Sequence, residues 1–294
     1  MFRSWRALIV REYLEHRVPA LYFPLGILGL FTLSAVSGVL FNKLHLASDF
    51  ALGSTLKIFE LGYLVLMVLW FAYFAVALFF YFGDAFSADR RNNAMLFWKS
   101  MPVSDLKIMV SKFLAGLTLF PLIILVIGAV SGLLFYLVFN IAVTAIPNLV
   151  PPPPDIALRS FGHITAFAVA YLAHALLWYA PFLDWVGGLS TVFGRWSLPL
   201  AFVIPGLLAV VENLVAFGHG PRGGYVWNYL AQRWQFGLTN IDYGFLAVSP
   251  QPFDATYYIP RLASLIDWTA MVVGLVFAGL VIWLASEYRR RRIA

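Results

Sequence analysis

Apolar residues in this chain gather into six long runs separated by short polar stretches. A helix crosses a hydrocarbon core of about 30 Å with roughly 20 residues. Each run is long enough, near Pro19–Phe41, Phe59–Phe82, Ile108–Phe139, Phe161–Leu183, Trp196–Phe217 and Leu265–Ser286. The third exceeds one crossing, which predicts tilt or a start on the membrane surface. Prolines inside the runs (Pro24, Pro121, Pro181, Pro199, Pro205) predict kinks, tolerated where neighbouring groups re-satisfy the freed carbonyls.

Ahead of the first run, Phe2, Trp5, Ile9 and Tyr13 recur at spacings of three and four, with Arg3, Arg11, Glu15 and Arg17 elsewhere on the wheel. This predicts an amphipathic helix over residues 1–18 lying in the membrane interface. It serves either as a topology anchor or as a mechanical element. No apolar run precedes residue 18, so no cleavable leader is expected.

The polar stretches differ in charge. With the termini and the 83–112 and 184–196 connections on one side, that side holds fourteen of the twenty Lys and Arg and the other side six. Basic residues are retained on the cytoplasmic face, so both termini of this multi-pass membrane protein are expected there. Asn42–Ile58 is short and polar, and Asn140–Ser160 carries Pro147 and the run Pro151–Pro154, a stiff extended segment. The external segment 218–264 is dense in Trp and Tyr, which suits helices at or dipping into the outer interface. No repeat or soluble domain stands out, so residues 1–294 read as a single all-α membrane domain.

Composition supports this. The chain is 62% hydrophobic and only 12% charged, where soluble domains hold about 25% charged residues. A soluble fold of this size could not cover its surface. The net charge of +6 would suggest nucleic acid in a soluble chain, but orientation explains it here and no nucleic-acid partner is expected. The absence of cysteine excludes disulfides, thiolate metal sites and cysteine nucleophiles.

The most informative polar stretch joins the second and third runs. Asp89, Arg90 and Arg91 follow the second run directly. A helix-compatible segment, Asn93–Lys99, then carries Met95, Phe97, Trp98 and Lys99, too apolar to sit free in water. Pro102 breaks it, and Ser104 with Asp105 can cap the helix of the third run. This is a short stiff helix held at the membrane surface between two crossing helices. Its bland reading is a basic loop retained inside, with Phe97 and Trp98 in lipid.

The acidic–Arg pair after the second run, followed by "AMLFWKSMPVSDLKIMVSK", resembles the first cytoplasmic loop of ABC-2 type permeases, the membrane subunits of ATP-binding-cassette exporters. Arg90, Pro102, Val103, Ser104 and Lys112 match that loop; Asp89 replaces its usual Glu, and Ser100-Met101 precedes the proline. The resemblance covers the whole chain in layout but only this loop in residues. It implies that residues 84–107 form a coupling loop docking on a separate P-loop ATPase in two copies, with Asp89, Arg90, Arg91, Met95, Phe97, Trp98, Lys99 and Pro102 as the coupling residues. It further implies a second permease, identical or related, with ATP and magnesium held on the ATPase. The chain has no Gly-Lys pair and hence no phosphate loop of its own, so no cofactor is expected on it.

Within the runs, Glu212 and His174 are the candidate pathway residues, since an ionisable group in the bilayer is costly. Glu212 could equally reach the outer interface or pair with Arg222 or Arg233, and His174 could be hydrogen-bonded in the bundle. Asp84 and Asp184 read as caps or loop partners at cytoplasmic ends. Three rivals stand beside the exporter. An intramembrane enzyme lacks paired metal-ligating histidines, an aspartyl dyad motif and a nucleophilic serine turn. An ion-coupled transporter would carry more midplane charge. A sensor or assembly subunit that pairs with an ATPase without transporting is the third. The substrate expected for an exporter is hydrophobic or amphipathic, moved outward.

Overall fold

A computed structural model describes residues 2–41, 54–91, 103–144, 150–217, 223–234 and 251–292. Among these residues the structure is helical, without strands. The helices are α1 (Phe2–Glu15), α2 (Phe23–Leu40), α3 (Thr55–Arg91), α4 (Asp105–Leu114), α5 (Phe120–Thr144), α6 (Pro154–Phe193), α7 (Ser197–Glu212), α8 (Tyr225–Trp234), α9 (Ala255–Leu265) and α10 (Trp268–Arg292).

Five stretches are long and apolar enough to cross a membrane: Val18–Leu40, Thr55–Ala88, Asp105–Thr144, Pro154–Val215 and Trp268–Arg291. The protein is a multi-pass membrane protein. The fourth and fifth sequence runs fall together in Pro154–Val215, which reverses at Gly194–Trp196. Gly194 has φ +56°, a region that L side chains avoid. Beyond it α7 folds back on α6, where the Trp185 indole donates to the Ala201 carbonyl at 3.3 Å. α6 begins seven residues before its apolar run, because Pro154 takes the first helical position after the extended Pro153. α3 likewise runs past its apolar run to Arg91.

Prolines shape two entries. A wide π turn, Val18–Tyr22, precedes Pro24, and another, Ala115–Leu119, precedes Pro121. A proline supplies no N–H to the turn before it, and the wider turn accommodates the mismatch.

α3 and α6 form the centre, side by side and parallel, with α4–α5 on one flank and α10 on another. Close approach depends on glycine. The Gly132 backbone lies under the Tyr63 ring, and Gly62 faces Phe135, so a Cβ at either would overlap an aromatic ring. Polar pairs fix the register: Tyr63 Oη lies 2.8 Å from Thr165 Oγ1, and the Trp70 indole donates to Ser131 Oγ at 2.9 Å. α2 is the least embedded crossing stretch and presents much of its apolar surface outward.

Two polar layers frame the bundle, one at Glu60 and one at Tyr81 of α3. The twenty-one residue steps from one to the other span about 31 Å at about 1.5 Å per residue, the thickness of a hydrocarbon core. The two faces are called here the Glu60 end and the Glu12 end.

Candidate functional site

The Glu12 end gathers α1, α3, α4 and α10, with the stretch 92–102 lying between α3 and α4 in sequence. α4 leaves that stretch with Ser104 as its N-cap: the extended Ser104 (φ −72°, ψ 148°) accepts from the Lys107 N–H through its hydroxyl at 3.3 Å. Asp105, in the first turn where a helix favours negative charge, forms an ion pair with Arg289 of α10, its carboxylate 2.9 Å from Nε; the Arg289 side chain is buried. Two turns on, Lys112 meets Glu12 of α1 at 2.9 Å, with both side chains buried. Tyr81 of α3 closes the group, its hydroxyl 3.2 Å from Glu12 Oε2 and 2.9 Å from the Lys112 carbonyl.

Packing repeats this arrangement. Leu8 of α1 seats against Ile108 and Val103, and the Lys107 ammonium lies 5.4 Å from the Trp5 ring centroid. Trp5, Ile9 and Tyr13 are half-buried as their spacing predicts, yet burial in α1 centres on Leu8 and Glu12. The buried face of the N-terminal helix is therefore built around a charge. On the other leg, Phe82, Ala85, Phe86 and Ala88 remain buried almost to the end of α3. Among the described residues, α4 is held by α1 through Lys112 and Glu12 and by α10 through Asp105 and Arg289, while α3 meets α1 through Tyr81 and Glu12.

Asp89, Arg90 and Arg91 continue α3 in backbone, while their side chains lie outside the described residues. Met95, Phe97, Trp98, Lys99 and Pro102 lie outside the described residues altogether. Glu212 sits at the end of α7 and accepts the Tyr225 and Val226 N–H groups at 2.8 and 2.7 Å, capping α8. His174 bonds the Ala170 carbonyl through Nδ1 at 2.7 Å and packs edge-on against Trp268. Asp184 is not at a helix end: it is fully buried within α6. Asp84 is half-buried on α3, and its carbonyl accepts from the Ser87 hydroxyl.

Two more clusters were not foreseen. At the Glu60 end, the buried Glu60 pairs with Lys57 at 2.7 Å and accepts from Ser160 Oγ at 2.6 Å and from the Phe253 N–H at 2.8 Å. It thereby ties the segment leading into α9 onto α3 and α6. Asp254 then caps α9, accepting from the Thr256 hydroxyl and N–H, bonds that hold its carboxyl below the ordinary range. Further along, the fully buried Arg233 of α8 donates to the Trp178 carbonyl at 2.9 Å and to the Ala270 carbonyl, with its guanidinium 4.4 Å from the Trp178 ring centroid. The Trp178 indole returns a bond to the Arg233 carbonyl at 2.9 Å. α8 therefore packs beside α6 and α10, hung from Glu212 at one end and Arg233 at the other.

No curated protein and no solved structure matches the chain. A family model does, over a region that runs from the start of α3 through the 92–102 stretch, α4 and α5 into the first half of α6. Residues 50–172 match the model of a family described as ABC-2 family transporter protein.

Proposed function

We propose that this chain is the permease subunit of an ABC exporter. It crosses the membrane six times, with α6 and α7 as separate crossings, and the Glu12 end faces the cytoplasm in a bacterial-type inner membrane. Residues 84–107 dock on a separate P-loop ATPase, present in two copies, which holds ATP and magnesium. A second permease, a copy or a relative, completes the pathway, and substrate moves outward. The family gives the general expectation of a non-catalytic membrane subunit working with an ATPase. The observation that carries the finer reading is the double grip on α4, by Glu12 on Lys112 and by Arg289 on Asp105, beside the rigid end of α3. A solvated loop needs no such anchorage; a lever does.

The test is affinity purification from native membranes in mild detergent, beside the triple variant Asp89→Ala, Arg90→Ala, Arg91→Ala. A P-loop ATPase should accompany the wild type, with the variant losing it or losing substrate-stimulated hydrolysis. Absence of any ATPase, with wild-type behaviour of the variant, would end the permease reading.

A further inference from the structure

The Asp184 side chain is fully buried in α6, and neither carboxyl oxygen has a hydrogen-bond partner among the described residues. An ionisable group at membrane depth is costly and marks a functional position. Helix geometry shows where this one points. At about 3.6 residues per turn, Gly187 and Gly188 stand one turn on, to either side of the Asp184 direction. A Cβ on Gly187 would lie 3.0 Å from the Phe86 ring of α3, and one on Gly188 would lie 2.6 Å from Val281 Cγ1 of α10. Asp184 therefore points into the seam between α3 and α10. One turn nearer the Glu60 end, the facing positions are Phe82 and Ala278, both buried.

The helices around the seam bring it no charge to pair with. At this level α3 carries Tyr81, whose hydroxyl is engaged by Glu12 and the Lys112 carbonyl, and Asp84, which lines a groove on the side of α2. α10 has no Asp, Glu, Lys, Arg or His from Trp268 to Ser286, α7 none from Ser197 to Val211, and α5 none at all. Arg233 of α8 is committed to the Trp178 and Ala270 carbonyls, and α9 meets α6 at Phe167, towards the Glu60 end. On α6 itself Tyr179 bonds the Trp234 carbonyl and His174 the Ala170 carbonyl, while Arg195 lies in the turn beyond the helix. α6 is also built to bend here. Pro181 removes the helical bond to the Leu177 carbonyl, and the glycine pair follows within two turns.

We propose that Asp184 is a proton-binding site that latches α6 into the seam between α3 and α10. With the seam closed, an isolated carboxylate in apolar surroundings costs far more than taking up a proton, and packing this close suits the smallest cation. When α6 bends at Pro181 and parts from α10, water reaches the carboxyl. The O–H bond then breaks heterolytically, the proton passes to water, and the carboxylate is left hydrated. Closure takes one proton back from water. The closed form thus holds one proton more than the open one, so acid favours closure and base favours opening. The latch belongs to the bundle itself and operates with or without a partner ATPase.

The test combines infrared and hydrogen-exchange measurements on the full chain in phosphatidylcholine nanodiscs. At about pH 7, where ordinary aspartates are ionised, the wild-type minus Asp184→Asn infrared spectrum should contain one carboxylic-acid C=O stretch. A carboxylate stretch in its place overturns the proposal. So does loss of the acid band when sodium chloride replaces choline chloride, which would make this a metal-cation site. Amide exchange across residues 181–191 and 275–285, corrected for its intrinsic pH dependence, should accelerate about tenfold per pH unit between about pH 6 and about pH 8, since each opening releases one proton. In Asp184→Asn, which is neutral throughout, the corrected exchange should stay flat. Equal pH dependence in the two proteins overturns the latch. Should Asp184→Asn fail to fold, the wild-type slope at residues 181–191 against that at residues 63–74 of α3 still decides, because only the former should rise with pH.

Discussion

Lys112 is a fully buried charge in the opening turns of a membrane helix, and Glu12 is what makes it tolerable. Removing one partner of a buried pair leaves an uncompensated charge and costs about 3–5 kcal/mol, whereas replacing both by apolar or neutral groups is often close to neutral. Lys112→Met alone and Glu12→Gln alone should therefore each lower thermal stability in detergent markedly. The double variant should recover most of the loss in a double-mutant cycle. Single and double losses that simply add would mean that the two side chains do not interact. If the pair is part of the lever, the double variant should fold yet show weakened coupling of substrate to ATP hydrolysis.

Elements are where sequence and structure part. The crossing helices are legible because a run of apolar residues has few other stable fates, and the Ser104–Asp105 start of α4 is legible because capping is local. α8 and α9 are not separable by periodicity within the aromatic stretch 218–264, since apolar residues there face both protein and lipid. What positions them is distant in sequence: Glu60 meets Ser160 and Phe253, and Arg233 meets Trp178 and Ala270. Glu12 was visible as a charge, but no local pattern could point it at a lysine one hundred residues away. Arg233, expected as a possible partner of Glu212, instead bonds the Trp178 and Ala270 carbonyls and anchors α8. Arg233→Gln keeps bulk but removes the charge from the Trp178 face and part of the fork. Amide exchange across residues 225–234 should then accelerate, roughly tenfold for each 1.4 kcal/mol of local stability lost, while α3 stays protected. Unchanged exchange in α8 would mean that Glu212 and packing hold the helix without Arg233.

At the scale of the whole molecule, orientation decides whether the gripped stretch meets an ATPase or the outside. The charge asymmetry, fourteen basic residues against six, favours the Glu12 end inside. The two ends also differ in build. The Glu12 end clamps the flanks of a short polar stretch, while at the Glu60 end a buried carboxylate ties down the segment leading into α9. A reversed topology would put the lever where no nucleotide is available. The chain contains no cysteine, so single reporters can be placed without preparing a background. Ser100→Cys lies in the stretch between α3 and α4, and Ser249→Cys in that between α8 and α9. In intact cells a membrane-impermeant maleimide should label Ser249→Cys at once and Ser100→Cys only after permeabilisation. The opposite pattern would invert the protein in the membrane, removing residues 84–107 from any cytoplasmic partner. Labelling of both sites without permeabilisation would place the two stretches on one outer face and overturn the proposed six-crossing topology, which puts three crossings between them.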